Sequence, residues 1–147
     1  MPSAKSIDTL PFDLRAIRRS SSPNDALACP PGVCAAKADV SSQIFAVPVA
    51  DLMALAESII LAEPRTEVAA RDQTRRQVVF VQRSRVFGFA DTIRLQADGT
   101  DGAASALLYS KSNVGYWDFG VNLKRVRRIV AEITRRMSNG TAAPSFR

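Results

Sequence analysis

Residues 104–137 read ASALLYSKSNVGYWDFGVNLKRVRRIVAEITRRM and contain a strand pattern followed by a helix pattern. In the first part, Leu107 and Tyr109 alternate with Leu108, which is typical of a β-strand. In the last part, apolar residues recur at the spacing of a helix buried on one side, namely Val126, Ile129, Val130, Ile133 and Met137. The segment therefore predicts a strand over residues 104–112 and a long C-terminal helix.

Towards the N-terminus, apolar periodicity predicts four further strands and one helix. The strands are expected at residues 43–47, 66–70, 77–83 and 87–96, and the helix at residues 49–62, between Pro48 and Pro64. Strands joined by short turns and flanked by helices indicate the α+β class. We predict a single antiparallel sheet of four to five strands, packed by this helix and by the long C-terminal helix in a helix-grip-like order.

The chain has 147 residues, a length that suits one domain with one core. Residues 1–28 contain Pro2, Pro11, Pro23 and three consecutive serines, and predict a flexible N-terminal tail. The domain is expected over residues 29–137, and a second flexible tail over residues 138–147.

The composition excludes several kinds of active site. Histidine is absent, so a Ser-His-Asp triad, a Cys-His pair and a histidine-ligated zinc site are excluded within this chain. The net charge of +6 favours contact with anionic partners. No cofactor is expected, and the chain carries no nucleic-acid-binding motif, which argues against a nucleic-acid partner.

The two cysteines, Cys29 and Cys34, flank a Pro-Pro-Gly turn. The turn allows a disulfide, and a reducing compartment would leave two free thiols near a turn. Two thiolates do not complete a four-ligand zinc site, so no metal is expected. No stretch reaches the roughly 20 apolar residues of a membrane span, and no signal peptide is visible near the N-terminus. The sequence therefore predicts a cytoplasmic protein without a transmembrane segment.

A polar signature at residues 110–125 separates the last strand from the last helix. Asp118 or Asn122 is expected to cap that helix. On the strand at 87–96, alternation places Asp91 on the apolar face with Phe87 and Phe89, where a carboxylate needs a partner. The candidate ligand-binding or signature residues are Asp91, Ser110, Ser112, Gly115, Tyr116, Trp117, Asp118, Gly120, Asn122 and Arg125.

Three motifs in order resemble the bacterial and plastid family catalogued as domain of unknown function 1499. They are the Cys29-Pro30 and Cys34 segment, the element Gly88-Phe89-Ala90-Asp91, and the pattern Ser-x-Ser-x-x-Gly-x-x-Asp-x-Gly-x-Asn-x-x-Arg that begins at Ser110. The resemblance covers roughly residues 29–133. It implies no activity, because the family has no established one, but many members are exported or membrane-anchored, so a periplasmic or membrane-associated location is the alternative.

This chain departs from the family pattern at three positions. The family typically has arginine at the positions of Tyr109 and Asn113, and asparagine at that of Val33. If those arginines bind an anion, or pair with Asp91 or Asp118, this chain has changed that chemistry.

Two classes of function follow from these features. The first is a non-enzymatic module that binds a small apolar or lipid-like ligand, or attaches to an anionic membrane surface through the basic residues of the C-terminal helix: Lys124, Arg127, Arg128, Arg135 and Arg136. The alternative is an enzyme of unknown reaction that uses Asp91, Asp118, Tyr116 and Lys111 around the signature. It requires these side chains to converge in one pocket.

Overall fold

Six strands and two helices are formed by residues 10–115 and 118–140, the part of the chain that the structure, a computed structural model, describes. The side chains of residues 139 and 140 are outside this description. The strands are β1 (Asp25–Cys29), β2 (Val40–Ser41), β3 (Thr66–Asp72), β4 (Gln77–Arg83), β5 (Ala90–Thr100) and β6 (Ala103–Ser112). The helices are α1 (Val49–Leu61) and α2 (Val121–Gly140).

The strands form one mixed sheet in the order β2-β1-β6-β5-β4-β3. Strands β3 to β6 form an antiparallel meander, and β1 pairs antiparallel with β6 but parallel with β2. The α+β class is confirmed, whereas the predicted antiparallel sheet of four to five strands is wrong in both number and direction. The extra strand β1 pairs with β6, about eighty residues away, and short-range periodicity carries no signal for such a partner.

Two of the predicted strands differ from what the structure contains: one is not a strand, and the other begins later than predicted. The segment 43–47 contributes a single bridge from Phe45 to Ala104 rather than a strand. Strand β5 begins at Ala90, so Phe87 and Phe89 lie outside it. Gly88 adopts a φ of 69°, which interrupts extended backbone before the strand.

One face of the sheet, which we call the helix face, packs against both helices. The predicted apolar stripe of α2 is buried there, and α1 adds Leu52, Ala56 and Ile60. The sheet supplies Phe80, Ile93 and further apolar side chains to the same cluster. This apolar cluster fills the space between the sheet and the helices.

The opposite face, which we call the outer face, is covered by the segment before β1. Leu14 is fully buried and packs with Leu27, Leu107 and Tyr109. The buried side chain of Gln96 accepts a hydrogen bond of 2.7 Å from the backbone N–H of Leu14, as expected for a buried amide. From residue 10 onward, this arrangement differs from the flexible tail predicted for residues 1–28.

Candidate functional site

The predicted signature joins β6 to α2, and its polar side chains meet around the fully buried Asn122. The Asn122 Nδ2 group donates to the backbone carbonyl of Asn24 at 3.0 Å and to Ser112 Oγ at 2.8 Å. Its Oδ1 atom accepts hydrogen bonds from Ser110 Oγ and from Arg125 Nη1. Asn122 therefore ties the first turn of α2 to β6 and to the residue before β1.

Asp118 binds the start of α2. Its Oδ1 accepts a hydrogen bond of 2.8 Å from the backbone N–H of Gly120, and its Oδ2 accepts one of 3.2 Å from that of Asn122. Amide groups at a helix start have no partner within the helix. Gly120 has a φ of 80°, which favours glycine at this turn. Of the two capping candidates, Asp118 makes these bonds.

Asp91 and Arg125 form an ion pair between β5 and α2. Arg125 Nη2 lies 2.9 Å from Asp91 Oδ2, and the two side chains are 7% and 14% exposed. Strand alternation points Asp91 towards the helix face, as predicted, beside its cross-strand neighbour Ser112. Arg125 also donates to Ser110 Oγ at 3.0 Å. The charge of each side chain is thus balanced within the domain.

Asn24 is a member of this network that the sequence analysis missed. Its Nδ2 donates to the backbone carbonyl of the signature residue Gly115 at 3.0 Å, and its own carbonyl accepts from Asn122. Asn24 lies in a serine- and proline-containing segment, and no local motif marks it. The pairing of β1 with β6 brings it to the signature.

The described signature groups mainly contact one another, although the buried Asn24 Oδ1 and Arg125 Nε atoms have no hydrogen-bond partner among the described residues. The carboxylates of Asp91 and Asp118 are engaged by a guanidinium and by helix-start amides. Lys111 lies on the outer face, opposite Asp91, because adjacent strand residues point to opposite sides. The predicted catalytic set therefore does not converge among the described residues, and Tyr116 and Trp117 lie outside them.

Three of the five basic residues predicted to form the charged face of α2 lie beside a carboxylate, and Arg135 and Arg136 share a single one, that of Glu132. Arg128 forms two hydrogen bonds with Glu63. Burial acts to raise the pKa of Glu63, but the hydrogen bonds and charge of Arg128, together with Gln82 and Arg125, outweigh burial and hold this pKa below its usual value. Hydrogen bonds from Arg135 and Arg136 lower the pKa of Glu132 to about 2. The face therefore keeps a net positive charge, and Lys124 and Arg127 are exposed cations without an ion-pair partner in the described chain.

Cys29 and Cys34 form a disulfide with a Cα–Cα distance of 6.2 Å. Cys29 is buried in the outer-face cluster beside Leu27 and Tyr109. Of the two states left open by the sequence, the structure contains the bonded one. Among the described residues, no group of three cysteine, histidine or carboxylate side chains is placed to hold a metal ion.

Tyr109, one of the departures from the family pattern, belongs to a polar cluster on the outer face. Its hydroxyl donates to Asp25 Oδ2 at 2.7 Å, and Arg19 forms an ion pair with the same carboxylate at 2.9 Å. Burial, together with the hydrogen bond to Asp25, raises the pKa of the Tyr109 phenol. Burial alone would raise the pKa of the Asp25 carboxyl. The hydrogen bonds from Arg19, Tyr109 and the Ser20 backbone, together with the charge of Arg19, outweigh burial, and the pKa of Asp25 lies below its usual value.

Exposed apolar side chains gather where β4 and β6 end and β5 begins, which we call the loop end of the sheet. The residues are Val86, Phe87 and Phe89 in the β4–β5 loop, and Val114, Phe119 and Val121 near the start of α2. Phe87 and Phe89 are 74% and 49% exposed and stack on each other with ring centroids 5.3 Å apart. This feature was missed, because their alternation with Asp91 predicted burial in a strand.

A groove of about 280 Å³ lies where α1 meets β3 and β4. Its walls include Val49, Met53 and Val78, but also the ion-paired Glu57 and Arg71. Among the described residues, it is a candidate site for the small apolar or lipid-like ligand that the sequence analysis predicted. Its charged lining does not suit an apolar ligand.

Comparison with known proteins gives a family but no activity. No curated protein and no solved structure matches the chain. A family model described as "Protein of unknown function (DUF1499)" matches residues 23–133, which include β1 and the whole signature. Within the described part of the chain, no helix has both the length and the apolar composition needed to cross a bilayer. The match spans most of the sequence, and the chain therefore belongs to the DUF1499 family of proteins of unknown function.

Proposed function

We propose that this domain is a non-enzymatic interaction module that attaches to anionic membrane surfaces through the loop end of its sheet. The observation that carries the proposal is the β4–β5 loop, in which a stacked, exposed pair of phenylalanines follows Arg83 and Arg85. Exposed apolar side chains beside cations are the features that peripheral proteins bring to anionic bilayers.

Part of the apolar surface is concentrated in one loop, from which Val86, Phe87 and Phe89 project. Phe119, 85% exposed, lies in the connection between β6 and α2, beside Arg19 and Asp25. Isolated exposed apolar residues are normal on protein surfaces, whereas a cluster in which aromatic rings stack in water indicates a partner. Aromatic rings at the tip of a sheet suit the boundary between lipid headgroups and acyl chains.

The charge at the loop end complements an anionic surface. Arg83 is exposed at the end of β4, Arg85 is exposed in the loop that follows, and Lys124 is exposed in the first turn of α2. The carboxylates of Asp91 and Asp118 at this end are engaged within the signature network, while Glu67 on β3 remains exposed. Each cation near an anionic bilayer contributes about 1 kcal/mol of binding free energy.

The signature network also supports the proposed role of the loop end. It is built from mutual contacts among β5, β6, α2 and the residue before β1, and it engages Gly115 and Asp118, the described neighbours of Val114 and Phe119. The Cys29–Cys34 disulfide favours an oxidising compartment over the cytoplasm. This agrees with the exported or membrane-associated location that the family resemblance implies.

Vesicle binding tests the proposal. The wild-type chain is expected to bind vesicles that contain both phosphatidylcholine and phosphatidylglycerol, and to bind vesicles of phosphatidylcholine alone only weakly. Its affinity for the anionic vesicles is expected to fall as the salt concentration increases. The double variant Arg83→Gln/Arg85→Gln is expected to lose about 2 kcal/mol, or roughly thirtyfold in affinity. The variant Phe87→Ser/Phe89→Ser is expected to lose at least as much.

Matched controls come from the opposite end of the sheet. Ile44 is 60% exposed near the β5–β6 turn, and Arg75 and Arg76 lie in the β3–β4 turn. Ile44→Ser and Arg75→Gln/Arg76→Gln are expected to bind as the wild type does. Equal losses for control and loop-end variants, or no preference for anionic vesicles, would overturn the proposal.

A further inference from the structure

The segment that covers the outer face, residues 10–20, is held on the sheet mainly by side chains, and we call it the strap. It contains a 3-10 turn at Leu14–Ala16 and forms none of the strands described above. Its contacts pass from Gln77 on β4 to Gln96 on β5 and then to Tyr109 on β6. The strap therefore crosses the strands of the sheet instead of extending it.

Two glutamine side chains of the sheet bind the backbone of the strap. Gln77 and Gln96 are direct cross-strand neighbours, and they are 5% and 6% exposed. Gln77 Oε1 accepts a hydrogen bond of 3.0 Å from the backbone N–H of Phe12, and Gln77 Nε2 donates to the carbonyl of the same residue. Gln96 Oε1 binds the backbone N–H of Leu14. Because these bonds reach main-chain groups, the two amides suit any extended segment in this position.

One strap side chain fills an apolar site on the outer face. Leu14 is fully buried and packs with Leu27 of β1, Leu107 of β6 and the side chain of Tyr109. Burial of a leucine removes a large apolar area from water at one point, which makes it an effective anchor for an extended segment. The outer face therefore presents a pocket for a leucine beside the two backbone-binding amides.

Two further strap side chains contact the sheet next to this leucine. The Phe12 ring centroid lies 5.5 Å from the Arg94 guanidinium, within the range of a cation–π contact. Asp13 Oδ1 accepts a hydrogen bond of 3.2 Å from Gln96 Nε2. Together with Leu14, these contacts favour a segment with the pattern aromatic-Asp-Leu.

The second half of the strap is only partly packed against the sheet. A pocket of about 170 Å³ lies between Ile17 and Arg18 on one side and strands β5 and β6 on the other. Beyond this gap, Arg19 fixes the strap through ion pairs with Asp25 at 2.9 Å and with Asp39 at 2.7 Å. Segments with few buried apolar contacts open at a lower free energy than the whole domain. We expect the part of the strap before Arg19 to open while Arg19 stays in place.

The strap and the surface that it covers belong to different parts of the sequence. The family model matches residues 23–133, which supply the strands of the outer face, whereas the strap precedes them. The apolar pocket and the two amides are thus features of the matched domain. The segment that occupies them is an extension of that domain.

We propose that the outer face is a peptide-binding site, which the strap occupies in cis and an extended aromatic-Asp-Leu segment of a partner protein occupies in trans. The strap itself shows the chemistry of that segment. A second copy of this chain is not the expected partner, because an exchanged strap would make the same contacts without the high effective concentration of the tethered one. The site does not depend on membrane attachment through the loop end.

A labelled peptide of residues 10–20 tests the site by fluorescence anisotropy, with the whole chain as receptor. The wild type is expected to bind the peptide weakly, because its own strap competes. Leu14→Ala weakens the tethered strap and leaves the sheet unchanged, so this variant is expected to bind the peptide at least about tenfold more tightly. A peptide that carries the same substitution is expected to bind this variant at least about tenfold more weakly than the unchanged peptide does.

Matched controls separate the site from the rest of the surface. Ala16→Ser, at an exposed strap position, and Phe87→Ser/Phe89→Ser, at the loop end, are both expected to bind the peptide as the wild type does. Leu14→Ala/Gln96→Ala lacks one backbone-binding amide and is expected to bind it more weakly than Leu14→Ala does. Equal peptide binding by the wild type and a folded Leu14→Ala variant, or equal binding of the two peptides, would overturn the proposal.

A second variant and a second measurement keep the test decisive if Leu14→Ala does not fold. Phe12→Ala alters only a half-buried side chain, and it is expected to bind the unchanged peptide about fivefold more tightly than the wild type does. In native-state hydrogen exchange of the wild type, the Leu14 amide is expected to exchange at least about a hundredfold faster than that of Leu108 in β6. Equal protection of the two amides, unchanged binding by Phe12→Ala, or a wild-type dimer that Leu14→Ala dissociates would contradict the proposal.

Discussion

Arg125 Nη2 lies 2.9 Å from Asp91 Oδ2, and this ion pair joins helix α2 to strand β5 with both side chains almost fully buried. Removing one partner leaves the other charge buried without compensation. We expect Asp91→Ala to lower the free energy of unfolding by about 3–5 kcal/mol, measured by urea denaturation. The double variant Asp91→Leu/Arg125→Met is expected to recover much of the loss. A single variant as stable as the wild type would contradict the assignment.

Asn122 is the centre of the signature network, so its replacement should remove several buried hydrogen bonds at once. Asn122→Ala removes buried hydrogen bonds to Ser110, to Ser112 and to the backbone carbonyl of Asn24 at once, although Arg125 still donates to Ser110 and the Ser112 backbone N–H still donates to the Asn24 carbonyl. We expect a loss of about 3 kcal/mol in the free energy of unfolding. Asn113→Ala, which removes one bond on the outer face, is the control and should cost about 1 kcal/mol. Similar losses for the two variants would show that the network is not cooperative.

Tyr109 gives the domain a specific dependence on alkaline pH. Its pKa is raised in the folded state, so the folded domain favours the protonated phenol. This stabilisation is fully present below the unfolded pKa of about 10 and is lost as the pH rises towards the folded pKa. Unfolding measured from pH 8 to pH 11 should show a steeper alkaline loss for the wild type than for Tyr109→Phe. Identical slopes would contradict the buried Tyr109–Asp25 hydrogen bond.

The disulfide closes a short loop and should stabilise the domain modestly. Replacement of both partners, Cys29→Ser/Cys34→Ser, is expected to lower the free energy of unfolding by about 2 kcal/mol through loop entropy. A reductant should lower the stability of the wild type by a similar amount and leave the double variant unchanged. A wild type insensitive to the reductant would indicate free thiols.

Elements with strong local periodicity can be predicted from this sequence. The apolar stripe of α2 and the run at β4 lie where their spacing indicates. Strand β1 and the buried Leu14 depend on partners far along the chain, such as Tyr109 and Gln96. Local composition, rich in serine and proline, predicts a tail there instead. Non-local pairing is the physical reason for this difference.

Single residues in and around the signature also show how far local sequence can predict the structure. Strand parity is enough to place Asp91 on the helix face, and helix-start chemistry nominates Asp118 and Asn122 as caps, of which Asp118 makes the bonds. Parity also places Phe87 with Asp91, but the strand begins only at Ala90, and the ring is exposed. The role of Asn24 cannot be predicted without the register of β1 and β6.

The central claim is that the loop end enters the headgroup region of an anionic bilayer. Fluorescence quenching by lipids with brominated acyl chains tests it most directly, using Phe87→Trp and the control Ile44→Trp, each corrected for the signal of the wild-type chain with its single tryptophan. We predict that bound Phe87→Trp shows added quenching by bromine and that bound Ile44→Trp shows none. Equal quenching of the two variants on vesicles that bind the protein would contradict the claim.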